Sequence, residues 1–109
     1  MEELALITDY LAYLRLEKSV SPRTVEAYGA DLERFRAYCA NHGVSDIGTV
    51  DTDLLAAHIR TLTDLGFAVS SVQRTLSSLR GYFSYLAAEG VVGSDPTELL
   101  EGPRSGRYL

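Results

Sequence analysis

The sequence predicts an all-α fold: a bundle of four main helices followed by a short C-terminal helix. Three observations carry this. Apolar residues recur at steps of three and four in four segments, which is the period of one helix face. Short connections rich in Ser, Gly, Pro and Asp, the residues that start and stop helices, separate those segments. No stretch of any length alternates apolar and polar residues as a half-buried strand does. Amphipathic helices joined by short connections bury their stripes against one another, and a bundle results.

The first helix is expected over about residues 2–17. Leu4, Ile7, Leu11 and Leu14 form its stripe, with Tyr10 and Tyr13 flanking. Glu2 and Glu3 suit the positive end of the helix dipole, and Arg15 and Lys18 the negative end. Ser21 then reads as an N-cap and Pro22 as a first-turn residue, where a missing N–H costs nothing. The second helix runs to Asn41 or His42, with Gly43 as its stop and Val25, Tyr28, Leu32, Phe35 and Cys39 as its stripe. After a connector over residues 44–50, Asp51 reads as the N-cap of a third helix. Leu54, Leu55, Ile59, Leu62 and Leu65 make its apolar side, and Gly66 ends it. His58, beside that stripe with no second ligand-type residue in step, reads as a core-edge residue, and His42 as solvated.

The fourth helix belongs to residues 69–90, capped by Ser70 or Ser71 and closed by Gly90. Its stripe, Val72, Leu76, Leu79, Phe83 and Leu86, steps by four, three, four and three. Val91 and Val92 are expected to pack back on the bundle. Asp95 and Pro96 open the short helix, over residues 96–100, which presents Leu99 and Leu100 to the core. The domain is placed at residues 1–101. Residues 102–109, with Pro103, Arg104 and Arg107, have the composition of a linker, and a longer protein is expected to continue from them.

Composition sets the frame for function. A chain of 109 residues makes one domain, which at this size buries about two thirds of its unfolded surface. The 46% hydrophobic and 23% charged fractions belong to a globular protein rather than a disordered one. Cys39 is the only cysteine, so no internal disulfide forms; a small core residue in the reducing cytoplasm is the expectation. No apolar run approaches the ~20 residues of a membrane span, and the N-terminus is acidic through Glu2 and Glu3 where a signal peptide is basic. The sequence contains no glycine-rich phosphate loop, metal-ligand cluster or nucleophile elbow, so no catalysis, cofactor, metal or small-molecule substrate is expected of this chain.

What remains is a binding surface. Net charge is −5, which taken whole argues against nucleic acid, whose non-specific affinity comes largely from cations. The charges are unevenly spread, however. Glu2, Glu3 and Asp9 sit at the start, and Asp46, Asp51, Asp53 and Asp64 in or beside the third helix. Arginines gather in the second helix (Arg23, Arg34, Arg36), the fourth (Arg74, Arg80) and the tail. Opposite its stripe the fourth helix carries Gln73, Arg74, Ser77, Ser78, Arg80, Gly81 and Ser84, with no carboxylate before Glu89. A plain exposed face and a surface facing phosphates and base edges both fit these residues. At the start of the second helix, Arg23 and Thr24 fit either a solvated turn or an anion site, where free N–H groups and a guanidinium converge. Gly29 and Gly81 interrupt their helices at about 1 kcal/mol each relative to alanine. Packing is the expectation for Gly29; for Gly81, packing and close approach of a nucleic-acid backbone both fit.

These pieces, in order, resemble the N-terminal core-binding domain of tyrosine site-specific recombinases, of the XerC/XerD type and the phage integrases. LAYLRLEKSVS at residues 11–21 is similar to the family's first-helix segment, and SPRTVEAYGADLERF at 21–35 to its second-helix motif. RTLSSLRGYFSYLAAEG at 74–90 is similar to its fourth-helix motif. Asp95 and Pro96, followed by ELL at 98–100 and PR at 103–104, resemble its closing segment and linker. The resemblance implies a SAM-like bundle that grips one face of a double-stranded recombination site. A separate C-terminal catalytic domain holds the other face, and protomers assemble as a tetramer. It also implies that the second and fourth helices face DNA, which falls on Arg23, Thr24, Tyr28, Ser71, Arg74, Ser77 and Arg80, and that exposed first-helix surface meets a neighbouring protomer. The catalytic set lies outside these residues, and Tyr108 is a linker tyrosine rather than the nucleophile. The acidic net charge departs from the many basic members and implies weak, salt-sensitive binding by the domain alone.

A rival of another class has the same architecture: a SAM-like or death-fold protein–protein interaction module without DNA binding. The basic side chains discriminate. Arg23, Arg74 and Arg80 on one contiguous surface free of carboxylates favour DNA; pairing with Glu26, Asp31 or Glu33 favours the rival.

Overall fold

A computed structural model of the chain describes residues 2–102, with side chains from Leu4 onward. Four helices account for most of it: α1 (Glu2–Leu16), α2 (Pro22–Asn41), α3 (Thr52–Asp64) and α4 (Val69–Ala88). A single 3-10 turn, Ile47–Thr49, interrupts the α2–α3 connector, where the Asp46 carboxylate accepts from the Gly48 N–H at 2.9 Å. Among the described residues there is no strand, and no helix is long and apolar enough to cross a membrane.

Helix starts follow the expected chemistry in two cases. The Ser21 hydroxyl accepts from the Thr24 N–H at 3.2 Å, with Pro22 in the first turn. The Asp51 carboxylate accepts from the Leu54 N–H at 2.8 Å. Such caps contribute about 1 kcal/mol each. The fourth start corrects the sequence reading. α4 begins at Val69, two residues before Ser71, with Ala68 at the cap position and no side-chain cap bond. Ser70 and Ser71 are therefore first-turn residues. The stops are alike: Gly43, Gly66 and Gly90 take positive φ. The next residue then donates back to the last turn, Val44 to Cys39, Phe67 to Leu62 and Val91 to Leu86.

α4 packs on α1, α2 and α3, and α1 lies along α2. The whole α4 stripe is buried, with Leu79, Phe83 and Leu86 at 0% exposure. Each such side chain taken from water stabilises by roughly 2–3 kcal/mol. Val25, Leu32, Phe35 and Cys39 fill the α2 side, and Leu55, Ile59 and Leu62 the α3 side. A tyrosine cluster joins α1 to α4: Tyr10 packs against Tyr13, Tyr82 and Tyr85 at centroid distances of 5.3–6.3 Å. Tyr10, expected as a flank, is buried, and burial pushes its phenol up to about 12. Leu4 and Leu65 run the other way and are 40% and 70% exposed. Leu4 lies at the start of α1, and Leu65 is the C-cap of α3, where the chain has left the helical stripe.

Both helix-interior glycines are packing sites. A Cβ at Gly29 would meet Leu11 Cδ1 at 3.1 Å, and one at Gly81 would overlap the Tyr10 hydroxyl. Close packing against Tyr10 of α1 accounts for the glycine at position 81.

The expected fifth helix does not form. Residues 96–100 make hydrogen-bonded turns, closed by Glu98 N–H to Asp95 O and Leu100 N–H to Thr97 O. The Asp95 carboxylate caps Thr97 through both its N–H and its hydroxyl, and the Thr52 hydroxyl donates to the Pro96 carbonyl at 2.7 Å. These bonds hold the segment as a strap across the start of α3. Leu100 is buried in the core and Leu99 is 83% exposed, so only one of the expected pair is inserted. Val92 is likewise buried and Val91 is not. Arg104, Arg107 and Tyr108 lie outside the described residues.

Candidate nucleic-acid interface

The exposed side of α4 presents Ser70, Gln73, Ser77 and Ser84. Arg74 and Arg80 border this row. They are six residues apart, about 120° around the helix, so they leave from opposite edges. The whole helix, Val69–Ala88, contains no Asp or Glu, in a chain that carries 15 of them.

Each arginine is held by a protein partner. Arg74 donates from Nε and Nη2 to the two carboxylate oxygens of Asp31 on α2, at 2.9 and 2.8 Å. This fork pushes the Arg74 guanidinium up from its ordinary value. Asp31 is fully buried, and its other neighbours are Arg34 Nη1 and the buried Ser78 hydroxyl, both at 3.4 Å. Arg34 lies over the Phe67 ring, 5.1 Å from its centroid. The α2–α4 seam is therefore a small ionic network of one carboxylate and two guanidinium groups. Arg80 donates from Nη2 to the Leu100 carbonyl at 2.6 Å, which ties the strap to α4.

The other expected contacts are distributed around this pair. Tyr28 is half-buried on α2 and interacts electrostatically with Arg74, so both belong to the seam. Ser71 is half-buried, one turn before Arg74, and its carbonyl accepts from the Thr75 hydroxyl. Ser77 is exposed in the middle of the polar row, whereas Ser78, grouped with it from the sequence, is buried under Asp31. Arg23 is exposed in the first turn of α2 and has no ion-pair partner among the described residues. Thr24 is half-buried, with its N–H already taken by Ser21. That turn thus offers an anion the Arg23 side chain and less free backbone than the sequence suggested. Arg36 is occupied by Glu33, whose carboxyl it holds below the usual range.

A family comparison places this arrangement. The chain matches the family model described as "Phage integrase, N-terminal SAM-like domain" over residues 7–90. The chain belongs to this phage-integrase N-terminal SAM-like family. Its relatives include the tyrosine recombinase XerD of Staphylococcus aureus, 31% identical over 95% of the chain and 35% of that protein. The tyrosine recombinase XerC of Pseudomonas putida is 38% identical over 92% of the chain and 33% of that protein. The chain thus spans about a third of the length of the curated relatives it matches. No solved structure matches it significantly.

Within this SAM-like domain, sequence reasoning underrated Asp31. Its signal was its register. It follows Tyr28 by three and directly precedes Leu32, so it sits on the edge of the apolar stripe, where a carboxylate must find a partner. His58 is buried at 1% exposure, between Phe35 at 5.2 Å and Tyr38 at 4.8 Å. Burial, followed by repulsion from Arg34, pushes its pKa down to about 4. No group of three or more His, Cys, Asp or Glu side chains that could hold a metal ion occurs among the described residues. His42 is exposed, stacked on Tyr38, with Nδ1 2.8 Å from the Tyr38 carbonyl.

Proposed function

We propose that this domain grips one face of a double-stranded recombination site as the DNA-binding arm of a tyrosine site-specific recombinase. The carrying observation is α4 itself: a twenty-residue helix free of carboxylates, with an exposed hydroxyl and amide row bordered by two arginines. A major groove admits such a helix. Ser77 and Gln73 face base edges or phosphates in this reading. Arg74 and Arg80 reach phosphates with the N–H groups their protein partners leave free. Arg23, Thr24, Tyr28 and Ser71 supply contacts from the neighbouring surface. Residues 1–101 form the gripping domain, and residues 102–109 begin the linker to a C-terminal catalytic domain that cuts and rejoins strands. Other protomers complete a tetramer on two sites. The names and lengths of the relatives support this division.

A gel shift on inverted-repeat DNA at two salt concentrations tests it, with the chain alone and joined to its natural continuation. The expected result is weak binding alone, with a shallow salt slope of about −0.9 per phosphate contact. Binding tightens with the second domain, through effective concentration, and weakens with Arg74→Ala and Arg80→Ala. If neither substitution weakens the complex, α4 is not the DNA-facing helix. The rival reading, a helical interaction module, is favoured by the Arg74–Asp31 pair, the pairing that marks it in the sequence. It predicts no shift under any of these conditions.

A further inference from the structure

The two edges of Arg74 are not equivalent. Its Nε/Nη2 edge is committed to a carboxylate that has no exposure to water, while the side chain as a whole is 41% exposed. A guanidinium has five N–H donors in a rigid plane. With one edge forked onto Asp31, the Nη1/Nη2 edge remains as a second fork, of the shape that matches a phosphate. Asp31 itself cannot swing. It is packed at 0% exposure, with Arg34 and the Ser78 hydroxyl against its remaining oxygen surface and Arg34 laid over Phe67. The plane of the exposed guanidinium is thus set from beneath by a buried group on another helix.

We propose that Asp31 is a positioning residue for DNA binding: it fixes the Arg74 guanidinium at the α2–α4 seam so that its outer fork meets a backbone phosphate. This rests on the DNA reading above and adds a claim that charge alone does not make. Asp31 is an anion directly behind the interface. By charge count it opposes DNA, and its removal should tighten binding. By positioning it favours DNA, because an arginine released from the fork must order itself on binding. The two accounts predict opposite signs for one substitution. The positioning account also fits a domain of net charge −5, which would bind through a few well-placed contacts instead of a strong field.

Fluorescence anisotropy on a labelled mixed-sequence duplex of about 30 base pairs, between roughly 50 and 200 mM salt, reads this directly, since phosphate contacts are sequence-independent. Asp31→Asn is nearly isosteric, and far-UV circular dichroism reports whether it is folded. The expected result is binding about three- to tenfold weaker than the parent chain, with a salt slope shallower by about 1, close to Arg74→Ala. Equal or tighter binding by Asp31→Asn, with Arg74→Ala still weakened, overturns the positioning role and leaves the DNA reading standing. No binding by the parent chain overturns both. Arg74→Lys is the second arm and changes only a partly exposed side chain. It keeps the charge and loses the fork, so it should bind as weakly as Arg74→Ala. Binding equal to the parent chain also overturns the proposal, even where Asp31→Asn does not fold.

Discussion

Acidification should destabilise this domain through His58. In the unfolded chain the imidazole takes up its proton near pH 6.5; in the folded domain burial, with Arg34 nearby, pushes that value down to about 4, against a smaller opposing pull from Asp31. Between those pH values the unfolded state binds a proton that the folded state does not. Stability is therefore full above pH 6.5, falls as the pH drops toward 4, and levels off below it. The gap corresponds to roughly 3 kcal/mol, a large part of the 5–15 kcal/mol typical of a whole domain. The ring faces Phe35 and Tyr38, and neither ring nitrogen has a hydrogen-bond partner among the described residues. Urea unfolding followed by far-UV circular dichroism, from pH 7 to pH 4, measures the effect as a difference between the parent chain and His58→Leu. Leucine keeps apolar bulk and removes the titration, so the variant should lose roughly 3 kcal/mol less over that interval. At pH 7 it should match or exceed the parent, because two unpartnered polar atoms leave the core. Parallel curves for the two proteins between pH 6.5 and 4 overturn this, since they mean that the buried ring takes up its proton as readily as the unfolded one.

Further outcomes can be read by the same denaturation assay. Gly81→Ala should destabilise by roughly 1 kcal/mol, because overlap with the Tyr10 hydroxyl inside the tyrosine cluster outweighs the helix-propensity gain of about 1 kcal/mol. Gly29→Ala should be neutral or stabilising, since Leu11 Cδ1 at 3.1 Å needs to shift only a few tenths of an ångström. Asp51→Ala should cost about 1 kcal/mol by freeing the Leu54 N–H at the start of α3. Leu100→Ala should cost about 2–4 kcal/mol and Leu99→Ala less than about 0.5, which separates the inserted residue of the strap from its exposed neighbour.

Much of the fold was legible in local chemistry. The α4 stripe, the Ser21 and Asp51 caps and the glycine stops fell where spacing and residue type placed them. These features depend on residues within one helical turn, so sequence carries them complete. The errors share a different origin. Ser70 and Ser71 look like caps, but α4 already starts at Val69, behind an Ala68 that makes no side-chain cap bond. Pro96 looks like a helix start, but the segment spends its polar groups on Asp95 and Thr52. Leu99 and Leu100 are chemically identical, and only the path of the strap decides which one enters the core.

The candidate site divides along the same line. The amphipathic character of α4, its lack of carboxylates along its whole length and the recurrence of arginines on its polar side are all legible in the residue order. Those are properties of one helix and its period. What each cation is attached to emerges only from packing. Arg74 meets Asp31, 43 residues away, and Arg80 meets the carbonyl of Leu100, 20 residues on. A partner in another segment has no fixed spacing in the chain, and the strength of a charge depends on whether that partner is buried. Periodicity can place an arginine on a face, but packing sets its partner and the donors it has left.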